Sequence, residues 1–246
     1  MNGDLLLIAI SLVRIATDES IKTEIPEIDD HLGVFEERLR QDSIEEAITG
    51  LYIILHKTGS IYSEQEKLRI KLKGGYLCYP GGLSPIRIAS TFIKGDTIVA
   101  DLGSGNGLQG LLLQQLYPHK KTLQIEISSE LIRIGKLYQN ALGIDETRVK
   151  WINDDIMNAS FEEADIIYIY RPARPAEGCG LYRDIGERLT RQKKDITIFS
   201  IADCLSPYLG NNFYTCYDDG HLKIFVNHEV SFSADHSRSE GLPYPS

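Results

Sequence analysis

The length, composition and charge of the chain restrict what it can be. Its 246 residues, 42% hydrophobic and 25% charged, suffice for one sizeable α/β domain with an appended piece. The formal net charge of -9 repels phosphate backbones, which makes nucleic acid a less favoured partner than a small molecule or a protein. Two short basic runs, 120–121 and 191–194, leave a local basic groove open as an alternative.

The cysteines and the amino-terminal sequence favour a reduced, cytoplasmic protein. The cysteines are scattered, without the paired spacing of a zinc site or a disulfide framework, so no metal is predicted; they are Cys78, Cys179, Cys204 and Cys216. The apolar run from Leu5 to Val13 is too short to cross a bilayer, and it follows an acid, Asp4. We therefore expect neither a signal peptide nor a membrane anchor.

Residues 1–73 are predicted to form a helical N-terminal cap. Leu5–Ala16 is one apolar segment and 31–40 is a second, and the helix breaker Pro26 lies between them. In a third stretch Ser43 can cap a helix, and apolar residues follow at helical spacing as far as Leu55. This block shows no recognisable chemistry. Its expected role is to pack on the larger domain, and a lid over a substrate pocket is the alternative.

Residues 74–246 are predicted to form a Rossmann-like α/β domain. Short β-branched runs alternate with amphipathic segments, the pattern of a mostly parallel sheet with helices on both faces. The predicted strands are 97–100, 122–125, 149–152, 165–170 and 196–201, and the helices are 108–117, 129–142 and 180–191. Two further strands, 212–217 and 221–230, are expected to close the sheet as an antiparallel hairpin. Residues 231–246 read as a polar surface tail.

The strongest functional signal is Asp101-Leu102-Gly103-Ser104-Gly105-Asn106-Gly107, which ends the first strand and opens a helix. Glycines at such a turn let the backbone approach a ligand where a Cβ would collide. Asp101 precedes the first glycine, where a carboxylate can pair with an ammonium group of a ligand. The dinucleotide fingerprint would require glycine or alanine at position 108, where this chain has Leu108.

This segment resembles motif I of the class I S-adenosylmethionine-dependent methyltransferases, and the resemblance extends over about residues 74–230. It implies that the chain binds S-adenosyl-L-methionine and transfers its methyl group. In that family the loop wraps the methionine part of the cofactor, and the acid that leads into the loop helps to hold the amino group. The residues given this role are Asp101, Gly103, Ser104, Gly105, Asn106 and Gly107.

Two further acids lie where the family expects them. Glu126 ends the strand 123–126, about twenty residues after the glycine loop, the offset at which a carboxylate reaches ribose hydroxyls. By resemblance, Glu126 takes that role. After the next strand, the resemblance assigns Asp155 to the adenine amino group and Ile156 to the adenine ring.

The segment after the fourth strand bears on the acceptor. Many family members that methylate nucleobase or glutamine amino groups have Asn/Asp-Pro-Pro-Tyr here, whereas this chain has Tyr170-Arg171-Pro172-Ala173. That departure disfavours those acceptors. Tyr170 and Arg171 are predicted to border the methyl group as catalytic residues. Arg171 and Arg174 suit a carboxylate or phosphate, because guanidinium offers a planar fork of donors.

The lead-in segment before the first strand is expected to border the acceptor as well. In similar enzymes this segment folds over the cofactor, and here it carries Tyr76 and Tyr79. These two residues and Arg174 are the predicted substrate-binding residues.

The predicted function is an S-adenosylmethionine-dependent methyltransferase that acts on a small molecule or a protein side chain. Three alternatives stay open: an RNA or DNA methyltransferase, an aminopropyl or aminocarboxypropyl transferase of the same fold, and a non-catalytic protein that binds the cofactor or a partner chain.

Overall fold

Five helices occupy the first part of the chain in a computed structural model, which describes residues 3–41, 44–58, 61–77 and 79–230. They are α1 Gly3–Ala16, α2 Glu19–Glu24, α3 Ile28–Arg40, α4 Ile44–Thr58 and α5 Glu64–Leu72. The helices α2 and α5 have no counterpart among the predicted segments. Each buries a single side chain, Ile21 or Ile70, and neither has apolar residues at helical spacing, since those of α5 occur at every second position, 68, 70 and 72. The predicted cap Ser43, Cys78 and the predicted tail 231–246 lie outside the described residues.

Seven strands form one sheet in the order β3-β2-β1-β4-β5-β7-β6. Their bounds are β1 Ile98–Leu102, β2 Lys121–Glu126, β3 Val149–Asn153, β4 Ile166–Tyr170, β5 Thr197–Ile201, β6 Tyr214–Asp218 and β7 Leu222–Val226. The first five strands pair in parallel, and β7 pairs antiparallel with both β5 and β6. The mostly parallel Rossmann-like sheet with its closing antiparallel hairpin is therefore confirmed.

Helices cover both faces of this sheet. Four further helices follow α5, namely α6 Ser84–Ile88, α7 Leu108–Leu116, α8 Ser129–Leu142 and α9 Cys179–Thr190. The apolar side chains of α7 and α8 pack on one face together with those of α1, α3 and α4, so the N-terminal helices and the sheet share a continuous core. Helix α9 packs on the opposite face through Tyr182, Ile185 and Leu189. The division of the chain at residue 73 remains a prediction.

Helix α8 shows how local sequence fixes these elements. The Ser128 hydroxyl caps its first turn by accepting a hydrogen bond from the Leu131 amide at 3.2 Å. Gly143 ends the helix in the left-handed conformation, with φ 67°. Between these caps, residues at helical spacing are buried, and they include Leu131, Ile134 and Tyr138.

The arrangement of the strands leaves a crevice at one edge of the sheet. The strand order reverses between β1 and β4, since β2 and β3 lie on one side of β1 and the later strands on the other. Crevices at such switch points, outside the carboxyl ends of the strands, bind ligands in open α/β sheets. Across the described residues, we find no helix with the length and apolar character needed to cross a membrane.

Gly135 provides a test of the packing of α8 against β3 and the glycine loop. A Cβ at this position would lie 2.2 Å from Trp151 Cη2 and 2.7 Å from the Asn106 carbonyl oxygen. We expect Gly135→Ala to lower the free energy of unfolding by about 1–3 kcal/mol. The matched control is Gly33→Ala in α3, where an added Cβ has nothing within 4 Å. It should raise the free energy by about 0.5–1 kcal/mol. Urea denaturation measures both, and equal effects of the two variants would contradict the packing.

Candidate functional site

A cavity of about 550 Å³ opens at the carboxyl ends of β1, β2 and β4. Its wall combines the ends of these strands with the segment after β3 and with residues 75–77 and Tyr79 of the lead-in segment. The N-terminal helical region also contributes, through His56, Tyr62, Ile70 and Lys73. The site is therefore formed by both parts of the chain.

The glycine loop after β1 forms the floor of the cavity. Gly103 and Gly105 have positive φ values of 78° and 60°, which side chains rarely adopt. The amides of Gly103 and Ser104 donate to the carbonyl oxygen of Ile125 at 2.9 and 3.0 Å. The Gly105 amide donates to Glu126 Oε2 at 2.9 Å. These three amides are thus engaged within the protein, so a bound anion would have to displace their partners.

Two buried carboxyl groups line the cavity, Asp101 in β1 and Glu126 at the end of β2. Burial raises the pKa of Asp101 to about 7, and the charge of Glu126 adds to the shift. Burial also raises the pKa of Glu126 to about 7, although the Ser128 and Gly105 amides donate to its oxygens and oppose the shift. In the part of the chain that the structure describes, no Lys, Arg or His side chain forms an ion pair with either group.

A polar group in the glycine loop also bears on the ligand. The Ser104 hydroxyl is buried without a hydrogen-bond partner among the described residues. A buried hydroxyl in that state costs free energy that a ligand would recover. The described residues contain no group of three or more His, Cys, Asp or Glu side chains placed to hold a metal ion.

The segment after β3 brings Asp155 and Ile156 to the cavity wall. Lys73, just after α5, forms an ion pair with Asp155 Oδ2. Burial alone would raise the pKa of Asp155, but the hydrogen bonds from Lys73 and from the Met157 amide lower it. The Ile156 side chain lies beneath the glycine loop, 3.7 Å from the position that a Cβ on Gly103 would take.

Tyr170 and Arg171 line the cavity at the end of β4. The Tyr170 ring meets the His221 ring edge-on, with centroids 6.1 Å apart. Arg171 has a φ of 36°, and Ala202, which follows β5 and also lines the cavity, has a φ of 50°. A left-handed conformation costs a non-glycine residue of the order of 1–3 kcal/mol, and such residues cluster at functional sites.

The lead-in segment crosses the loop after β4. The Tyr76 amide donates to the Pro172 carbonyl at 3.1 Å, and the Arg174 amide donates to the Gly74 carbonyl at 2.9 Å. This short antiparallel contact holds the Tyr76 ring at the cavity, where the Arg171 guanidinium lies 5.9 Å from its centroid. Tyr79 also lines the cavity and meets Tyr76 edge-on, at 6.3 Å between centroids.

Three of the predicted site residues lie outside the cavity wall. The Asn106 side-chain amide donates to the Leu55 and His56 carbonyls at 3.1 and 3.3 Å, which ties the glycine loop to α4. Gly107 caps α7 beneath Trp151. The Arg174 guanidinium lies 3.8 Å from the Glu177 carboxylate and 6.0 Å from the centroid of the Tyr76 ring.

Sequence reasoning missed the wall residues His56, Lys73, Gln109 and Met157. Burial lowers the pKa of His56 to about 4, so its ring is neutral at physiological pH. His56 and Lys73 lie in the cavity wall because the N-terminal helices pack on the sheet. No local motif marks such residues, because their contact with the site depends on residues far away in the chain.

No family model and no curated protein matches this sequence. Solved structures of similar fold include TrmN from Thermus thermophilus, with 18% identity over 58% of this chain and 46% of that chain, at a TM-score of 0.47. A candidate rRNA methylase from Clostridium thermocellum shares 14% identity over 61% and 96% of the two chains, at a TM-score of 0.44.

A third similar structure is the geranyl diphosphate C-methyltransferase of Streptomyces coelicolor A3(2), solved in complex with S-adenosyl-L-homocysteine. It shares 12% identity over 48% and 46% of the two chains, at a TM-score of 0.37. The matched region thus spans less than half of the length of TrmN and of the geranyl diphosphate C-methyltransferase. At such identities the likeness concerns the Rossmann-like fold, which the strand order of this chain displays by itself.

The raised pKa values predict how pH changes the stability of the ligand-free protein. The pKa of folded Asp101 is about 7, so it holds a proton up to that pH, whereas the unfolded side chain releases its proton near the ordinary aspartate pKa of 3.8. The folded state therefore binds more protons between these pH values, and this contribution to stability is lost as pH rises. We expect Asp101→Asn to match the wild type near pH 4 and to be more stable at pH 8, by about 4 kcal/mol.

The matched control is Asp96→Asn, since Asp96 is exposed in the turn before β1. Urea denaturation at a series of pH values measures all three proteins. If the difference between Asp101→Asn and the wild type did not grow from pH 4 to pH 8, Asp101 would not be held uncharged by its surroundings.

Proposed function

We propose that the protein is an S-adenosylmethionine-dependent methyltransferase that acts on a small molecule or a protein side chain. The observation that carries this proposal is the pair of buried carboxyl groups, Asp101 and Glu126, which line the cavity without a cationic partner among the described side chains. Such groups favour a ligand that brings a positive charge and several hydroxyl donors.

The wall residues fit the parts of S-adenosyl-L-methionine. Asp101 would accept from the ammonium group of its methionine part, and Glu126 from the ribose hydroxyls. The buried hydroxyl of Ser104, which lacks a partner among the described residues, supplies a further polar contact at the loop. Asp155 and Ile156 would hold the adenine, and Lys73 would have to share or release the Asp155 carboxylate.

A dinucleotide fits this site less well. Dinucleotide-binding folds place the pyrophosphate on free amides of the glycine loop and the helix that follows. Here the amides of Gly103, Ser104 and Gly105 already donate to Ile125 and Glu126. The two buried carboxyl groups would also repel phosphate. The electrostatics of the loop therefore favour a cationic ligand.

The protein's task in methyl transfer is to orient the acceptor and to exclude water. When bound, the cofactor would supply a methyl group on a sulfonium centre to a lone pair of the acceptor, and S-adenosyl-L-homocysteine would be the leaving product. Tyr170 and Arg171 border this region in the proposal, and Tyr76 and Tyr79 border the acceptor. Alignment and desolvation by such residues accelerate displacement reactions. Residues 1–73 would act as a cap over the transferase domain, 74–246.

Binding of S-adenosyl-L-homocysteine tests the cofactor assignment, because this compound keeps the ammonium group. We expect Asp101→Asn to weaken binding by about 10- to 100-fold, the effect of losing a charge-assisted hydrogen bond of about 1.5–3 kcal/mol. In the wild type, affinity should rise from pH 5 to pH 7 by up to about tenfold per unit, because Asp101 must lose its proton to bind the cation. Titration calorimetry measures both, with Asp96→Asn as the control. Absence of binding by the wild type would refute the cofactor assignment.

The reaction itself can be tested with S-adenosylmethionine that carries a labelled methyl group. After incubation with the protein and a cell extract, we expect S-adenosylhomocysteine as the product and the label in the small-molecule or the protein fraction. Methylthioadenosine would instead indicate transfer of the aminocarboxypropyl group, or of the aminopropyl group after the cofactor is decarboxylated in the extract. Label in nucleic acid would contradict the proposed acceptor class, and cofactor binding without product would indicate a non-catalytic protein. Tyr170→Phe and Arg171→Gln should slow transfer more than they weaken cofactor binding.

A further inference from the structure

We infer that the acceptor is an apolar organic acid whose carboxylate or phosphate group binds Arg171. This inference rests on the proposed function and deepens it, since it names the chemical class that would occupy the space beside the cofactor. It is argued from the unbalanced charge of Arg171, from the apolar side chains at the mouth of the cavity, and from the distribution of charge along its wall.

Arg171 is a half-buried cation in the cavity wall without a counter-ion among the described residues. Its Nε is buried, and no described group accepts a hydrogen bond from it. Two other described arginines do have counter-ions: Arg174 pairs with Glu177, and Arg188 pairs with Glu162. A half-buried guanidinium with an unsatisfied donor is best stabilised by an anion, and its fork of donors matches a carboxylate or a phosphate.

The geometry around Arg171 favours a ligand over a merely solvated side chain. The backbone at this position is left-handed, with φ 36°, and the guanidinium lies 5.9 Å from the centroid of the Tyr76 ring. Tyr76 is itself fixed by the hydrogen bond from its amide to Pro172. The Tyr76 ring thus offers the guanidinium a cation–π contact at the outer limit of its range, and this contact leaves the hydrogen-bond donors of Arg171 available to an anion.

Apolar side chains surround the mouth of the same cavity. Three large side chains of its wall remain substantially exposed to solvent: Leu77 at 45%, Tyr79 at 59% and Met157 at 46%. Exposed apolar groups that converge on a cavity indicate an apolar ligand or partner. Tyr76 and Tyr79, in edge-on contact, extend this surface towards Arg171. The acceptor inferred from these groups has an apolar body and one anionic group.

The charge of the wall argues against an RNA acceptor. Among the described lining residues, five are acidic and two are Lys or Arg, the acids being Asp101, Glu126, Asp154, Asp155 and Glu177, and the cations Lys73 and Arg171. Lys73 is already paired with Asp155. A polyanion needs several cations along its path, whereas a single anionic group needs one.

The inference can be tested by binding of model acids to the full chain saturated with S-adenosylhomocysteine. The probes are naphthoate, decanoate and naphthyl phosphate, with naphthamide and decanamide as neutral counterparts of the two carboxylates. Each carboxylate is compared with its own amide, and naphthyl phosphate is compared with naphthamide. We expect at least one acid to bind about 10- to 100-fold more tightly than the neutral compound, because a charge-assisted hydrogen bond contributes that much. In Arg171→Gln this preference should vanish, and in Arg171→Lys it should be partly kept. The control Arg191→Gln removes an exposed arginine that pairs with Glu187 and should preserve it.

The outcomes separate this inference from the proposed function. If S-adenosylhomocysteine does not bind the wild type, the proposed function fails first. If it binds but no acid is preferred over its neutral counterpart, or if the preference survives in Arg171→Gln, the inference is wrong while the cofactor assignment stands. If Arg171→Gln weakens the binding of S-adenosylhomocysteine by more than about tenfold, Arg171 binds the carboxylate of the cofactor, and the inference is again wrong. A short RNA that displaces the bound acid in a salt-dependent manner would favour the nucleic-acid alternative.

Discussion

The burial of two carboxyl groups at neighbouring strand ends is the constraint on which the site depends. Asp101 and Glu126 lie at the carboxyl ends of β1 and β2, which pair in parallel and therefore end side by side. Burial of both groups raises their pKa values to about 7. A protein ordinarily compensates a buried acid with an arginine, a lysine or a metal ion. Among the described residues of this chain no cation does so, and the cost is best explained if a cationic ligand completes the site.

Three features of the fold support this arrangement. The reversal of strand order between β1 and β4 opens the crevice above the two acids. The glycine loop turns back on itself to donate its amides to Ile125 and Glu126, so it shapes the floor of the cavity without offering those amides to an anion. The N-terminal helices share the core of one face of the sheet and add side chains such as His56 to the cavity wall. The N-terminal helices thus contribute directly to the cavity wall.

Sequence patterns predicted the strands and helices that have a regular hydrophobic pattern, and the site residues that belong to motifs. The β-branched runs predicted the strands, because β1 and β5 each bury five consecutive residues and β4 buries four, and such runs are rich in apolar and β-branched side chains. The glycine spacing and Asp101 predicted where the cavity would lie. The roles of Lys73 and His56 could not be predicted, because an ion pair between Lys73 and Asp155 joins residues that are 82 positions apart. The left-handed backbone of Arg171 and Ala202 could not be predicted either, since neither arginine nor alanine favours a positive φ.

The most direct test of the central claim is the pKa of Asp101, measured by carbon-13 NMR of its carboxyl group with and without S-adenosylhomocysteine. Asp101→Asn identifies the resonance. The account predicts a pKa near 7 in the ligand-free protein, as burial and the neighbouring Glu126 require. With the ligand bound, the pKa should fall to or below the ordinary aspartate range, because an ammonium group then pairs with the carboxylate. An ordinary pKa in the ligand-free protein, or a raised pKa that the ligand leaves unchanged, would contradict it.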